Sequence, residues 1–358
     1  MARQARGQSM DPREIQIFHT IQRCVRRSFL CGQDPVSGKN FEHRRQWIRD
    51  RLEFLASVFA IDVLTYTVLS NHLHLVLRSR PDVVADWSDQ EVALRWWKLC
   101  PMRKGADGEA VDPTESELNM WINDAEKIQE FRLRLSDLSW LMARLAQRIA
   151  TAANLEDCCT GRFWQGRYKS QELLDEASIL ACAMYVDLNP IRAAIAQTPE
   201  DSDFTGAKDR LDDLQQDHVA IDNRELAHDW EREGTGQRCG WMSPIEISEA
   251  RDPIGSDLSS GRRASDKGFL NVSLGQYLSL LDWTGRSLSG DKRGTIPAHL
   301  KPILERVGLL PAAWCELVRN FGKLFKRAAG SPERLDEHAT KRQQQYMHGR
   351  HPTLFAGG

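Results

Sequence analysis

The sequence predicts an α+β fold: an antiparallel sheet with helices packed on one or both faces, followed by a helical extension. Three observations point there. Short apolar or alternating runs recur at 14–21, 61–69 and 71–78, with the length and period of strands. Between the first two, residues 41–59 place their apolar side chains at helical spacing. Beyond about 266 the strand-like runs give way to helical stripes.

Each element follows from local pattern. Residues 14–21 alternate and read as a first strand, with Arg23, Arg26 and Arg27 at its end. Trp47, Ile48, Leu52, Leu55 and Phe59 form one helical stripe. Residues 61–69 make a second strand and 71–78 a third, with Ser70 and Asn71 suited to a tight turn or a bulge between them. From Pro81 to about Asn123 the pattern loosens and Trp87, Trp96, Trp97 and Trp121 accumulate, with core packing expected for Trp96 and Trp97. Residues 126–153 read as helix with Leu133, Leu135, Leu138, Leu141, Leu145 and Ile149 inside. Residues 163–174 form a strand or hairpin arm. Asp175 then caps a helix, with Ser178 three residues on in place of the usual glutamate. That helix runs to about Leu188, because Asn189 precedes Pro190 and the proline ring disfavours α geometry before it.

The composition changes after Pro199. Residues 199–265 are acidic, then rich in Gly, Ser and Asp, and read as linker mixed with short helices. Stripes at 273–281, 296–309 and 312–328 suggest a small helical unit with Trp283, Trp314, Phe321 and Phe325 as core. The organisation is therefore 1–198 with a helical insertion at about 81–155, an acidic segment 199–265, and a helical domain 266–358.

At 358 residues, 41% hydrophobic and 27% charged, the chain has the make-up of a soluble globular protein. No apolar run approaches the ~20 residues of a membrane helix, and the N-terminus lacks the apolar core of a signal peptide. A cytoplasmic location is the expectation. The eight cysteines never form the two-residue-gap pairs that zinc sites favour and read as scattered thiols. A net charge of −2 argues against coating nucleic acid by bulk attraction. The first fifty residues are nevertheless rich in arginine, whereas 201–233 are acidic, the asymmetry of a phosphate-binding half joined to an acidic extension.

The residues that carry chemistry are few. His72 and His74 flank Leu73 on a strand, so both imidazoles point to one face. Tyr185 and Asn189, four apart in helical-looking sequence, share a helix face. Side by side, the two elements would set a divalent metal next to a phenol. With Asn71 before the histidines and Pro190, Ile191 and Arg192 after Asn189, the chain resembles the single-tyrosine HUH transposases, most closely the REP-associated tyrosine transposases. The resemblance spans about residues 14–197 and leaves the C-terminal portion uncovered.

That resemblance implies an HUH endonuclease fold (ferredoxin-like or RRM-like) and assigns roles. His72, His74 and Asn189 would bind Mg²⁺ or Mn²⁺, and Tyr185 would be the nucleophile that forms a 5′-phosphotyrosine on single-stranded or hairpin DNA. The amide oxygen of Asn189 is a hard donor suited to Mg²⁺, and two imidazoles make the site tolerant of Mn²⁺. Asp187 stands behind Asn189 as an alternative ligand or base, since it lies on another helical face. His19 reads as a polar residue on a sheet edge, with approach to the metal as the alternative. Tyr66 and Tyr168 are rival nucleophiles. Tyr66 is expected to pack in the sheet. DNA-contact candidates are Arg23, Arg26, Arg27, Arg162, Arg167 and Lys169, with Trp164 and Tyr168 available to stack unpaired bases. Monomer and homodimer both remain open, as does a DNA-binding protein of the same fold without strand transfer.

Overall fold

A computed structural model describes residues 10–25, 30–34, 38–106, 110–214, 238–248, 261–289, 299–306, 309–343 and 349. The sheet takes the order β2 (Ile61–Val68), β3 (His72–Ser79), β1 (Ile17–Arg23), β4 (Lys169–Leu173), β5 (Ala328–Ala329). Strands β1, β2 and β3 follow the predicted positions within a few residues. β4 pairs with β1 in antiparallel fashion, as β1 does with β3 and β3 with β2. The crossover helix α1 (Arg44–Val58) joins β1 to β2. The segment from α2 (Pro81–Asp86) through α3 (Asp89–Leu99), α4 (Glu115–Ile122) and α5 (Ala125–Leu135) to α6 (Leu138–Glu156) joins β3 to β4. The result is a split β-α-β arrangement, extended by the short β5 (Ala328–Ala329), which pairs with β4 in parallel and makes the sheet mixed.

Strand period two sorts the sheet's side chains between two cores. Phe18, Leu73, Leu75 and Leu77 pack with α1, α3, α5 and α6 on one face. Val76 and Leu64 meet α7 (Glu176–Asp187) on the other. The register between β2 and β3 shifts between Val63 and Thr65. Such a bulge puts Leu64 and Thr65, consecutive residues, both toward α7: Leu64 joins its core and Thr65 bonds Asp187.

Local chemistry explains where helices start and stop. The Asp175 carboxylate accepts from Ser178 N–H at 2.8 Å, and the Ser178 hydroxyl closes the reciprocal bond to Asp175 N–H, so the predicted cap forms. α7 ends at Asp187, and a new turn, α8 (Asn189–Arg192), opens across the Asn189–Pro190 step. The long helix expected at 126–153 is broken in two. The Asp137 carboxylate accepts from Ser139 N–H at 2.6 Å and caps α6 anew, which resets the helical phase. Leu133, expected inside, is consequently exposed.

The acidic region, expected as linker, is docked wherever it is described. The helical stretch α9 (206–214) carries Asp209 into a buried cluster with Tyr66, Arg49 and Arg238. Ser243 N–H bonds Val63 C=O at 2.9 Å, and Arg78 donates to the carbonyls of Lys267 and Gly268 at 2.6 and 2.8 Å. Asp209 and Asp212 serve internal ion pairs there. Residues 215–237 and 249–260 lie outside the described set.

The C-terminal helices α10 (Leu274–Ser289), α11 (Lys301–Arg306), α12 (Pro311–Leu324) and α13 (Pro332–Lys341) follow. Trp314, Phe321 and Phe325 are buried as expected. α7 is apolar nearly all round, with Leu180, Ala181, Cys182, Ala183 and Met184 all buried. A helix of that kind needs cover on every side. The sheet supplies one side and α12 another. No described helix is long and apolar enough to cross a membrane.

Candidate active site

The site forms on the α7 face of the sheet. His72 and His74 project from β3, and Arg23 pairs with His72 across the β1–β3 ladder. His19, on β1, pairs with Val76 and is thus the diagonal neighbour of His74. Its Nε2 lies 2.8 Å from His74 Nδ1, with the two rings nearly coplanar at 11°. His19 Nδ1 in turn reaches Gln171 Oε1 on β4 at 3.4 Å.

This chain fixes protons. With the Gln171 amide oxygen turned toward it, His19 Nδ1 is assigned the hydrogen, and His19 Nε2 then accepts from His74 Nδ1–H. His74 Nε2 is left as a bare lone pair, buried and with no hydrogen-bond partner among the described residues. His72 behaves alike: its Nδ1 donates to Asn71 Oδ1 at 2.5 Å and leaves Nε2 as the lone-pair nitrogen. Desolvation lowers the His19 and His72 pKa values to about 4, the latter helped by Arg23 and His19. Burial, then His19 and His72, holds His74 well below the ordinary histidine value. All three imidazoles are neutral at physiological pH, the form a metal requires.

Tyr185 reaches this cluster from α7, as its spacing predicted. Its ring centroid is 5.7 Å from that of His74 and 5.8 Å from that of His19, edge-on to both. The ring is half-buried. The Arg192 guanidinium sits 4.5 Å over its face while donating to the Arg319 carbonyl on α12 at 2.7 Å. Phe321 packs on the phenol at 5.8 Å.

Asn189 is buried, and its side-chain amide nitrogen has no hydrogen-bond partner among the described residues. Oxygen and nitrogen of a carboxamide exchange by a half-turn, so that unpartnered end can equally present the oxygen. Asp187 is fully employed elsewhere: Thr65 and Tyr277 hydroxyls each donate to it at 2.6 Å, and burial raises its pKa. Its role is to join β2 to α10. Among the described residues no three His, Cys, Asp or Glu side chains group as a metal site. His74 Nε2 and the Asn189 amide, each without a partner among the described residues, are groups that the divalent ion expected from the resemblance would use together with His72. Two lone-pair imidazoles and an unsatisfied amide fit that set.

The other candidates divide. Arg23, Arg162, Arg167 and Lys169 are exposed. The 163–167 arm runs beside the end of β1, through Val25 N–H to Phe163 C=O and Gln165 N–H to Arg23 C=O, both 2.9 Å. Trp164 and Tyr168 are core residues, which corrects their assignment as base-stacking platforms. Trp164 donates to Ala146 C=O on α6, and the Tyr168 hydroxyl meets Ser139, so neither ring faces solvent or Tyr185. Tyr66 is buried with its hydroxyl on Asp209, as expected. Arg26 and Arg27 lie outside the described residues.

His19 was expected as a polar residue on a sheet edge, with approach to the metal as the alternative; the strand order, with β1 flanked by β3 and β4, brings it to His74. Arg192 lies on the α8 turn beyond the predicted end of the Tyr185 helix, so helical spacing gave no signal of its return to the phenol. The eight cysteines are all free, as expected.

Comparison with known proteins adds little. No family model matches the chain, and no curated protein does. Among solved structures the chain is similar to a REP-associated tyrosine transposase bound to a REP hairpin. The two share 10% identity over 53% of this chain and 75% of the other, with a TM-score of 0.31.

Proposed function

We propose that this protein is a metal-dependent endonuclease and strand transferase of single-stranded or hairpin DNA, with Tyr185 as nucleophile. The observation that supports it is the meeting of the Tyr185 phenol with the imidazole of His74, whose buried Nε2 has no partner among the described residues, beside that of His72. A divalent ion bound by His72, His74 and Asn189 would supply Lewis-acid polarisation of the scissile phosphate. The protein's own residues do the rest. Tyr185 Oη forms the bond to phosphorus as the bond from phosphorus to the 3′ oxygen breaks. The phenol proton is lost and the 3′ oxygen gains one, giving a 5′-phosphotyrosine and a free 3′-hydroxyl. The ester keeps the energy of the broken bond, so the reverse attack rejoins strands without ATP.

Arg192, on the phenol face, and Arg23, beside His72, contribute positive charge where the phosphate must lie. Arg162, Arg167 and Lys169 extend that charge along the 163–169 arm for the flanking backbone. Hairpin DNA with a single-stranded flank is the proposed substrate, in line with the motif resemblance. The test is nicking of such an oligonucleotide with Mn²⁺. Loss of cleavage in Tyr185→Phe and in His74→Ala supports the mechanism, and undiminished cleavage by Tyr185→Phe discards it. If DNA is bound but never cut by the parent protein, the same site belongs to a binding protein without strand transfer.

A further inference from the structure

The C-terminal helix α12 lies against the phenol, and its contact residue there is a glycine. A Cβ built on Gly322 would come within 3.0 Å of Tyr185 Oη and 3.5 Å of Cζ. Glycine is the poorest helix former after proline, so one inside a helix calls for a reason. A left-handed backbone is not that reason, since Gly322 is absent from the positive-φ glycines. The helix continues past it to Leu324, so it is no C-terminal cap either. Close approach remains, and what approaches is the hydroxyl that the proposed reaction uses. The same helix supplies Phe321 against the ring and the Arg319 carbonyl that holds Arg192 over it.

We propose that Gly322 is a positioning residue: α12 forms a wall of the active site and leaves at Gly322 the space in which the Tyr185 hydroxyl is set. The inference rests on the reading of Tyr185 as nucleophile. It gives the C-terminal unit a direct part in catalysis. An alanine there displaces the hydroxyl by a few tenths of an ångström, and a valine displaces it further. Errors of about 1 Å in a reacting atom cost on the order of a hundredfold in rate.

The experiment is a thermal double-mutant cycle with a kinetic arm. Gly322→Ala is made in the parent and in the Tyr185→Phe background, where no hydroxyl fills the gap. The expected result is that Gly322→Ala leaves Tm unchanged or raised with phenylalanine at 185, but lowers it with tyrosine. In single-turnover assays with hairpin DNA and Mn²⁺, Gly322→Ala is expected to slow covalent adduct formation about tenfold with hairpin affinity unchanged, and Gly322→Val more so. Equal Tm effects in both backgrounds, or full-rate adduct formation by Gly322→Val, would overturn the inference. If the parent forms no adduct, the nuclease reading fails, and the Tm cycle still decides the packing: coupling sustains it and additivity overturns it.

Discussion

His19 and His74 share one hydrogen, and that pairing has a cost at low pH. Both are buried and neutral when folded, whereas in an unfolded chain they titrate near ~6.5. For His19 the folded value falls to about 4. Between those values the unfolded state binds more protons, so stability rises with pH through the window and is lost as pH falls. A shift of this size corresponds to roughly 3 kcal/mol for His19 alone; His72 and His74 act in the same direction. Thermal melts from pH 4 to 7 should show this slope, and His19→Gln should flatten it. A slope unchanged by His19→Gln would contradict the assignment. Arg192 makes a second residue-scale case. Arg192→Gln should lower the rate of cleavage at least about tenfold, as removal of one preorganised charge or donor does elsewhere. Binding of the hairpin should change far less. An equal loss of both would make Arg192 a general DNA contact.

Elements were legible where the signal is local. Asp175 and Ser178 declare a helix start, and Asn189–Pro190 declares its end; both hold, because capping and proline sterics act within one turn. The same kind of signal at Asp137 was outweighed by the leucine periodicity around it, which is why one helix was expected across 126–153 and Leu133 was placed inside. The face of the 163–168 arm was not legible either. Trp164 and Tyr168 interleave with cations whether they stack on bases or pack against α6, and only the tertiary partner decides. The Asp175 cap offers a quantitative check. Its second carboxylate oxygen accepts from Ser331 N–H at 2.6 Å, next to α13, so one side chain orders two helix starts. Asp175→Ala should therefore cost roughly 2 kcal/mol, above the ~1 kcal/mol of an ordinary cap. Chemical denaturation measures it, and a loss under ~0.5 kcal/mol would contradict the double role.

At the scale of the whole molecule, the described residues after the change in composition pack against those before it. The His-Leu-His strand and the Tyr185 helix could be read as a pair, because each motif carries its own period. The C-terminal unit carries no motif, so nothing in the sequence says that α12 would cover α7, that Tyr277 would bond Asp187, or that Ala328 and Ala329 would extend the sheet. Those pairings are long-range packing. Their consequence is that residues 1–198 alone would leave the apolar outer side of α7 bare, Leu180 and Met184 among it. That fragment should melt without a cooperative transition or aggregate, while the full chain unfolds cooperatively. A fragment with a sharp, reversible melt would show that the second core is an accessory.

The central claim is that the hydroxyl at 185 attacks DNA beside His72 and His74. The measurement closest to it is mass spectrometry of the protein after incubation with Mn²⁺ and a hairpin oligonucleotide carrying a single-stranded flank. The account predicts a nucleotide mass, joined through a 5′ phosphate, on the peptide containing Tyr185, absent with chelator and absent in His74→Ala. A nucleotide adduct on any other residue, or cleaved DNA with the Tyr185 peptide unmodified, would contradict it.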